Sequence, residues 1–313
     1  MGVTKYKYRF SIFTATYNRG NLLNQLYKCL IAQDYSGTFE WVLVSDGSTD
    51  NTDKIVETYI KEKKLNINYI KIPHGGKHKA WKAATDAFQG RYVVTADDDD
   101  PLPTNMLSVY DKYWVELEQS SEYDNFWEVK SRAQYEDGRL VGELLPLPYF
   151  DSDYIEINYK LGKGAEMDGC RKVEVLRKEA AIPESFWYED KCTNFPEGVR
   201  WTKAARKYKT RFVPDITRTY IIGHESLCTS ASKSRSNQRN YNSLVSSLYS
   251  INESGDLLLR YRFGTYIKLS LQLAYSSVRL KEKVFSKLVH FRDRIIHILF
   301  YIPALLIFKL RGY

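Results

Sequence analysis

Up to residue 95, four short runs of apolar and β-branched residues alternate with polar loops and helical spacings. Nothing else in the chain narrows the fold as far. The runs are 10–14, 41–44, 67–72 and 92–95, each of strand length and composition. After the first, Asn18 and Gly20 are turn residues, Asn21 is placed to cap a helix, and Leu22, Leu23, Leu26 and Leu30 lie on one helical side. After the second, SDGSTDNT opens a helix carrying Ile55, Val56 and Tyr59. After the third, PHGGKHKAWKAA enters a helix near Ala80. Strand, polar loop and helix in repetition predict an α/β chain with a doubly wound parallel sheet. Such sheets bind ligands beyond the carboxyl ends of their strands. Tyr17, Asp46 and the run Asp97, Asp98, Asp99, Asp100 all follow strand ends.

Four adjacent carboxylates repel one another unless cations sit among them. If the chain stays extended after Thr95, Asp97 and Asp99 share one side. Such a pair offers hard oxygen ligands to Mg²⁺ or Mn²⁺, with positions left for a substrate phosphate. The plainer alternative is a solvated acidic turn, or caps for a helix beginning near Thr104.

The 313 residues can hold one large domain or two modest ones with a real core. Of the net charge of +8, residues 260–313 carry +9 and the first 259 carry −1. A near-neutral body argues against nucleic-acid binding, and the basic tail reads as an attachment segment. Cys29, Cys170, Cys192 and Cys228 show no CxxC spacing, which points to reduced thiols in a cytosolic compartment. MGVTKYKYRF lacks the apolar run of a signal peptide, and Tyr6 argues against myristoylation at Gly2. No GxGxxG follows the first strand, which counts against a dinucleotide oxidoreductase.

From 105 to 225 the patterns are weaker. A helix over 106–117 comes first, then a hairpin of 127–132 and 139–144 about the turn EDG. The glycine-rich GKGAEMDGC and the aromatic, acidic PESFWYEDKCTNFP precede a helix over 197–208 and extended chain over 212–222. Residues 226–247, rich in Ser and Asn, read as a mobile connection. The expected division is a first domain over 1–225, then a linker and a basic, apolar helical extension over 226–313.

TYNR at 16–19, VSDGSTDNT at 44–52, GGKHKAWKAA at 75–84 and ADDDDPL at 96–102 stand in the order and spacing of the inverting family 2 glycosyltransferases. The chain resembles that family's bacterial polysaccharide-building members. The resemblance continues more loosely in FPEGVRWTKAARKYKTRFV at 195–213 and YIIGHESL at 220–227. It implies the GT-A fold, a Rossmann-like mixed sheet flanked by helices, here with a C-terminal helical extension. It also implies inverting transfer of a sugar, by one displacement, from a UDP-linked donor to a hydroxyl of a glycan or lipid-linked glycan, with Mn²⁺ or Mg²⁺. By the same resemblance Thr16 and Tyr17 line the base pocket, and Asp46 accepts from the N3–H of uracil, which cytosine cannot supply. Lys77 lies near the nucleotide or diphosphate, Asp97 contacts the ribose or the metal's water shell, and Asp99 binds the metal. Asn18, Arg19, Gly47, Ser48, Ala80 and Asp98 complete the nucleotide-sugar set. His224 is a further candidate ligand for metal or diphosphate, against the plainer role of a structural histidine. Two positions depart from the family pattern: Ala15 where proline is usual, and Asp98 where a small residue is common. The second adds charge to the metal site.

Inverting transfer needs a base for the acceptor's proton and positive charge on the leaving diphosphate, but no protein nucleophile. Two residues are candidate bases. Glu197 opens a helix with Trp201 about one turn on, in the family's register; Asp190, in the pair Glu189-Asp190, is out of that register. The plainer role for Glu197 is an acidic residue in a first helical turn. Glu166 and Asp168 are candidates for acceptor hydroxyls, and Trp187 and Tyr188 for stacking on a sugar or for core packing. Two other functions compete. A catalytically inactive sugar-nucleotide-binding subunit is countered by the presence of Asp46, Asp97 and Asp99. A sugar nucleotidyltransferase is countered by the lack of a glycine-rich, Arg-Lys phosphate loop after the first strand.

In the tail, IIHILFYIPALLIF at 295–308 carries no formal charge. It is shorter than the roughly 20 apolar residues of a spanning helix, and Pro303 interrupts it. Leu280, Val284, Leu288, Phe291 and Ile295 recur at helical spacing among Arg279, Lys281, Lys283, Lys287, Arg292 and Arg294. A basic amphipathic helix leading into a short apolar one suits peripheral contact with the anionic inner face of the plasma membrane. A cap on the catalytic domain or a homodimer interface are the alternatives.

Overall fold

A computed structural model describes residues 6–141, 149–153, 155–161, 168–221 and 237–310. The first half alternates as expected: β1 (Tyr8–Thr16), α1 (Leu23–Ile31), β2 (Phe39–Asp46), α2 (Thr52–Glu62), β3 (Ile67–Ile72), α3 (Lys77–Ala87), β4 (Gly90–Thr95) and α4 (Met106–Glu118). Asn21 does not cap α1, whose N-cap residue is Leu22 with no side-chain cap. The preceding turn is tied elsewhere, through the Gly20 amide to the Asp50 carboxylate at 3.1 Å.

β5 (Phe126–Tyr135), β6 (Phe150–Ser152), β7 (Asp168–Lys172), α5 (Val173–Glu179), α6 (Glu197–Ala205) and β8 (Lys209–Tyr220) follow. The eight strands form one sheet in the order β3-β2-β1-β4-β7-β5-β8-β6. β1 pairs in parallel with β2 on one side and β4 on the other, so the loops leaving β1 and β4 diverge at a switch point. β7 runs antiparallel to β4 and β5, and β8 runs parallel to β5. The carboxyl ends of β4 and β8 therefore point the same way. β5 holds the first arm of the expected 127–144 hairpin, the turn after Tyr135 brings Leu140 back onto Gln134, and residues 142–144 lie outside the described residues.

Period-two alternation explains why the central strands read as unbroken apolar runs. Phe10, Ile12, Trp41, Leu43, Tyr92 and Val94 face one layer with residues of α1, α2 and α4. Phe13, Val42, Val44 and Val93 face the other, with Ala80, Trp81 and Ala84 of α3 and residues of α5 and α6. Each such side chain, fully buried, contributes about 2 kcal/mol of burial. Phe13, at 4.3 Å from Trp81 between ring centroids, fixes α3 on the sheet.

The rest is helical: α7 (Asn237–Tyr261), α8 (Phe263–Leu280) and α9 (Phe291–Leu310). The reading of 226–247 as a mobile connection fails from residue 237 on. Those residues open α7, where Leu244 and Val245 are fully buried. Val245 packs with Phe186, Phe195 and Val199, and Asn242 accepts from the Thr193 amide at 2.8 Å. The serines and asparagines lie between these apolar positions at helical spacing, which composition alone hides. α8 and α7 share a second core with Val284 and Leu288. Asp293 at the start of α9 is buried and accepts from the Tyr266 hydroxyl at 2.6 Å. Among the described residues no helix is long and apolar enough to cross a membrane.

Candidate active site

The loops leaving β1 and β2 are sewn together by short polar side chains. Asn18 sits at φ 51°, a conformation asparagine tolerates. Its Oδ1 accepts from the Thr49 amide at 2.7 Å, and its own amide donates to Ser48 Oγ at 3.1 Å. Asp46, at the end of β2, accepts from the amides of Gly75 and Gly76 at 2.8 Å each, one per carboxylate oxygen. It therefore orders the loop that opens α3, and keeps only its remaining lone pairs for a base. Gly47 and Gly76 have φ of +72° and +99°, and a Cβ on Gly76 would collide with the Thr193 carbonyl. Tyr17 is exposed and stacks on His74 with ring centroids 4.0 Å apart.

The acidic run does not stay extended. The chain leaves the strand after Thr95 and turns at residues 98–99, so strand alternation does not set the directions of Asp97 and Asp99. Two arginines hold the run. Arg19 takes Asp98 at 2.8 Å and Asp99 at 2.6 Å. Arg218, from β8, takes Asp100 at 2.8 Å and also binds Asp97. Lys77, the first residue of α3, adds a third cation at 3.1 Å from Asp97. Four carboxylates facing three cations is the neutralisation that the bare sequence demanded. Burial pushes the Asp97 carboxyl up, but Lys77 and Arg218 outweigh it and hold it well below the usual carboxylate range. Asp98 accepts from Thr16 Oγ1 at 2.8 Å and is pushed up to about 6 by burial, against the pull of Arg19.

Glu197 begins α6 and accepts from the indole N–H of Trp81 at 3.1 Å. Burial pulls the Lys77 pKa down, but Asp97 and then Glu197 outweigh it and raise it. Glu197, Lys77 and Asp97 thus form one electrostatic cluster. Asp190 instead stands exposed on the 3-10 turn Glu189–Lys191.

The remaining sequence candidates divide. Ala80 is fully buried with Phe13 and Val44, so its methyl is a core contact and offers a ligand no surface. Trp187 is exposed, whereas Tyr188 packs on Tyr241 at 5.7 Å. His224, Glu166 and the Asp168 side chain lie outside the described residues. Cys29, Cys170 and Cys192 form no disulfide among the described residues. Among the described residues no group of three or more His, Cys, Asp or Glu side chains is arranged as a metal cage. Asp97 and Asp99 remain partly exposed carboxylates. That donor set fits a hard divalent cation completed by phosphate and water.

Two residues were missed in the sequence: Arg218, which anchors Asp97 and Asp100, and Trp81, which holds Glu197. Trp81 was visible as an aromatic in the quoted GGKHKAWKAA. Arg218 had no local signal, since it is one of several basic residues on an ordinary strand.

Residues 11–131 match the family model described as Glycosyl transferase family 2. The poly(ribitol-phosphate) beta-N-acetylglucosaminyltransferase TarS of Staphylococcus aureus is 36% identical over 100 residues, which are 32% of this chain and 18% of that protein. The chain thus matches less than a fifth of the length of the first curated relatives. A crystal structure of S. aureus TarS 1–349 in complex with UDP-GlcNAc superposes with a TM-score of 0.61 at 18% identity, over 97% of this chain and 93% of that one. The mannosyltransferase PcManGT from Pyrobaculum calidifontis, in complex with GDP-Man and Mn²⁺, gives 0.54 at 16% identity, over 97% and 88%. The mixed sheet with its switch point, its flanking helices and the helical C-terminal region is the GT-A fold of these structures. With four motifs at the strand ends and a family match across them, residues 11–131 form a glycosyl transferase family 2 domain.

Proposed function

We propose that this protein moves a sugar from a UDP-linked donor to a hydroxyl of a glycan or lipid-linked glycan, with inversion and in one displacement. The observation that carries the reading is the cluster of Lys77, Asp97 and Glu197 at the carboxyl ends of the parallel strands. It puts cationic and acidic groups for a diphosphate beside a carboxylate able to take a proton. Tyr17, Thr16 and Asp46 bound the nucleotide side. Glu197, oriented by Trp81, removes the acceptor proton. Lys77 and Arg218 place positive charge where the diphosphate leaves. Asp97 and Asp99 would hold a Mn²⁺ or Mg²⁺, which when bound would supply Lewis-acid charge for that leaving group. Arg19 must then share Asp99 with the ion. The UDP-sugar and Mn²⁺ complexes of the structural neighbours support this donor and cofactor class.

The test is thermal unfolding and UDP release by the full chain with a panel of UDP-sugars, with Mn²⁺ or Mg²⁺ and with chelator. A bound donor raises stability, and Asp99→Ala should abolish the metal-dependent part while the protein stays folded. Full turnover in chelator overturns the metal role. Pyrophosphate release would make the protein a nucleotidyltransferase, and donor binding without UDP release would make it an inactive binding subunit.

The same reading places the protein at an anionic membrane surface, beside a lipid-linked acceptor. Phe291, Ile295, Ile298, Leu299, Ile302 and Leu306 recur along α9 and are between 41% and 74% exposed. Basic residues precede and follow this stripe, as interfacial helices require.

A further inference from the structure

Between α6, α7 and α8 lies a cavity of about 480 Å³. Its volume is that of a small-molecule site. Ser246, Ser250 and Ser254 line it from one face of α7, four residues and so about 6 Å apart. Ser254 is 2% exposed. Arg262 also lines the cavity, and its guanidinium has no hydrogen bond or ion pair among the described residues. Arg206, at the end of α6, is by contrast bonded to Asp256 of α7 at 2.8 Å. Apolar walls come from Val199, Leu258 and Leu269. The first turn of α6 closes one side through Pro196 and Gly198, and a Cβ at Gly198 would meet nothing within 4 Å. The residue between those two is Glu197, turned instead to Trp81.

From this arrangement we propose that the cavity binds a polyhydroxylated chain bearing an anionic group, as the part of the acceptor that lies beyond the reacting hydroxyl. Only the word acceptor rests on the transferase reading above. The serine hydroxyls bond chain hydroxyls, the apolar walls take its C–H faces, and Arg262 pairs with a phosphate or carboxylate through its planar fork. The turn of α6 links the cavity to Glu197, so a chain seated here is held next to the base without touching the donor site.

The experiment is calorimetric binding of three chains to the full-length protein: oligo(glycerol phosphate), an oligogalacturonate and a neutral malto-oligosaccharide. Arg262→Gln and Ser250→Leu, which fills the cavity, are measured beside it, with UDP binding as a control. One anionic chain should bind, at least about tenfold tighter than the neutral chain. Both variants should lose that preference and keep UDP binding unchanged. Which anionic chain binds distinguishes phosphate from carboxylate. In steady state with that chain as acceptor, the variants should raise its KM about tenfold and move kcat less than about twofold. Equal binding of the neutral chain, no binding of either anionic chain, or indifference to both substitutions overturns the proposal. Loss of UDP binding by the unmodified protein would instead count against the transferase reading, which the chain-binding result does not touch.

Discussion

Arg218 on β8 binds Asp97 at the end of β4, 121 residues away in sequence. The same guanidinium holds Asp100 at 2.8 Å. A strand from the second half of the chain thereby sets the charge of a motif that belongs to the first. The pair is partly buried, with Arg218 10% and Asp100 11% exposed, so neither charge is easily returned to water.

Removing that cation should be felt twice. Arg218→Ala leaves Asp100 without this cation and Asp97 with Lys77, which costs about 3 kcal/mol for a buried pair broken on one side. Differential scanning calorimetry should show a lower unfolding temperature, and added Mn²⁺ should restore more of it than the unsubstituted protein gains. An unchanged unfolding temperature would show that the pair carries no stability.

The two candidate bases separate by substitution. Glu197→Gln should lower turnover by several orders of magnitude while UDP-sugar binding persists, and Asp190→Asn should stay near the unsubstituted rate. Trp81→Phe keeps the buried ring but deletes the 3.1 Å hydrogen bond to Glu197. It should lower kcat about tenfold, the worth of one hydrogen bond, with little change in KM. The reverse ordering of Glu197 and Asp190 would move the base to Asp190.

A pH dependence comes from α9. His297 is buried, and burial lowers its pKa from 6.5 to about 4. The unfolded chain takes up a proton below about pH 6.5 that the folded chain refuses until about pH 4. Stability from this group is therefore full above pH 6.5 and lost as pH falls. Between pH 7 and pH 5 the loss is about 2 kcal/mol. Urea unfolding of His297→Leu should show a shallower decline over that window; identical slopes would disprove the assignment.

The tail divides into a packed part and an exposed one. Val284, Leu288 and Asp293 are buried against α7 and α8, so removal of 279–313 would strip a core. Substituting Ile298, Leu299, Ile302 and Leu306 with Gln leaves that core alone. Sedimentation with anionic vesicles at low salt should show binding by the unsubstituted chain and its loss in the variant. No binding by the unsubstituted chain would leave the stripe to a protein contact.

The first half of the fold was legible because its signals are local. The run 67–72 became β3 with the same ends, and all four strands carried apolar residues on both faces. The β-loop-α repeats then put Asp46, Lys77 and Asp97 near one another without knowledge of any contact. The second half was not legible in this way. β7 enters the sheet between β4 and β5, and α7 opens with serines and asparagines that composition reads as loop.

By itself, then, the sequence determined the alternating elements, the strand ends on which polar residues would gather, and the need for cations around four aspartates. Only the tertiary structure decided which cations those are, that the acidic run turns instead of alternating, and that Trp81 holds Glu197. The physical reason is range. Periodicity and turn chemistry act over a few residues, so they are written in the local sequence. Ion pairs and indole hydrogen bonds depend on distances that only strand order and helix packing set, across separations of 80 to 121 residues.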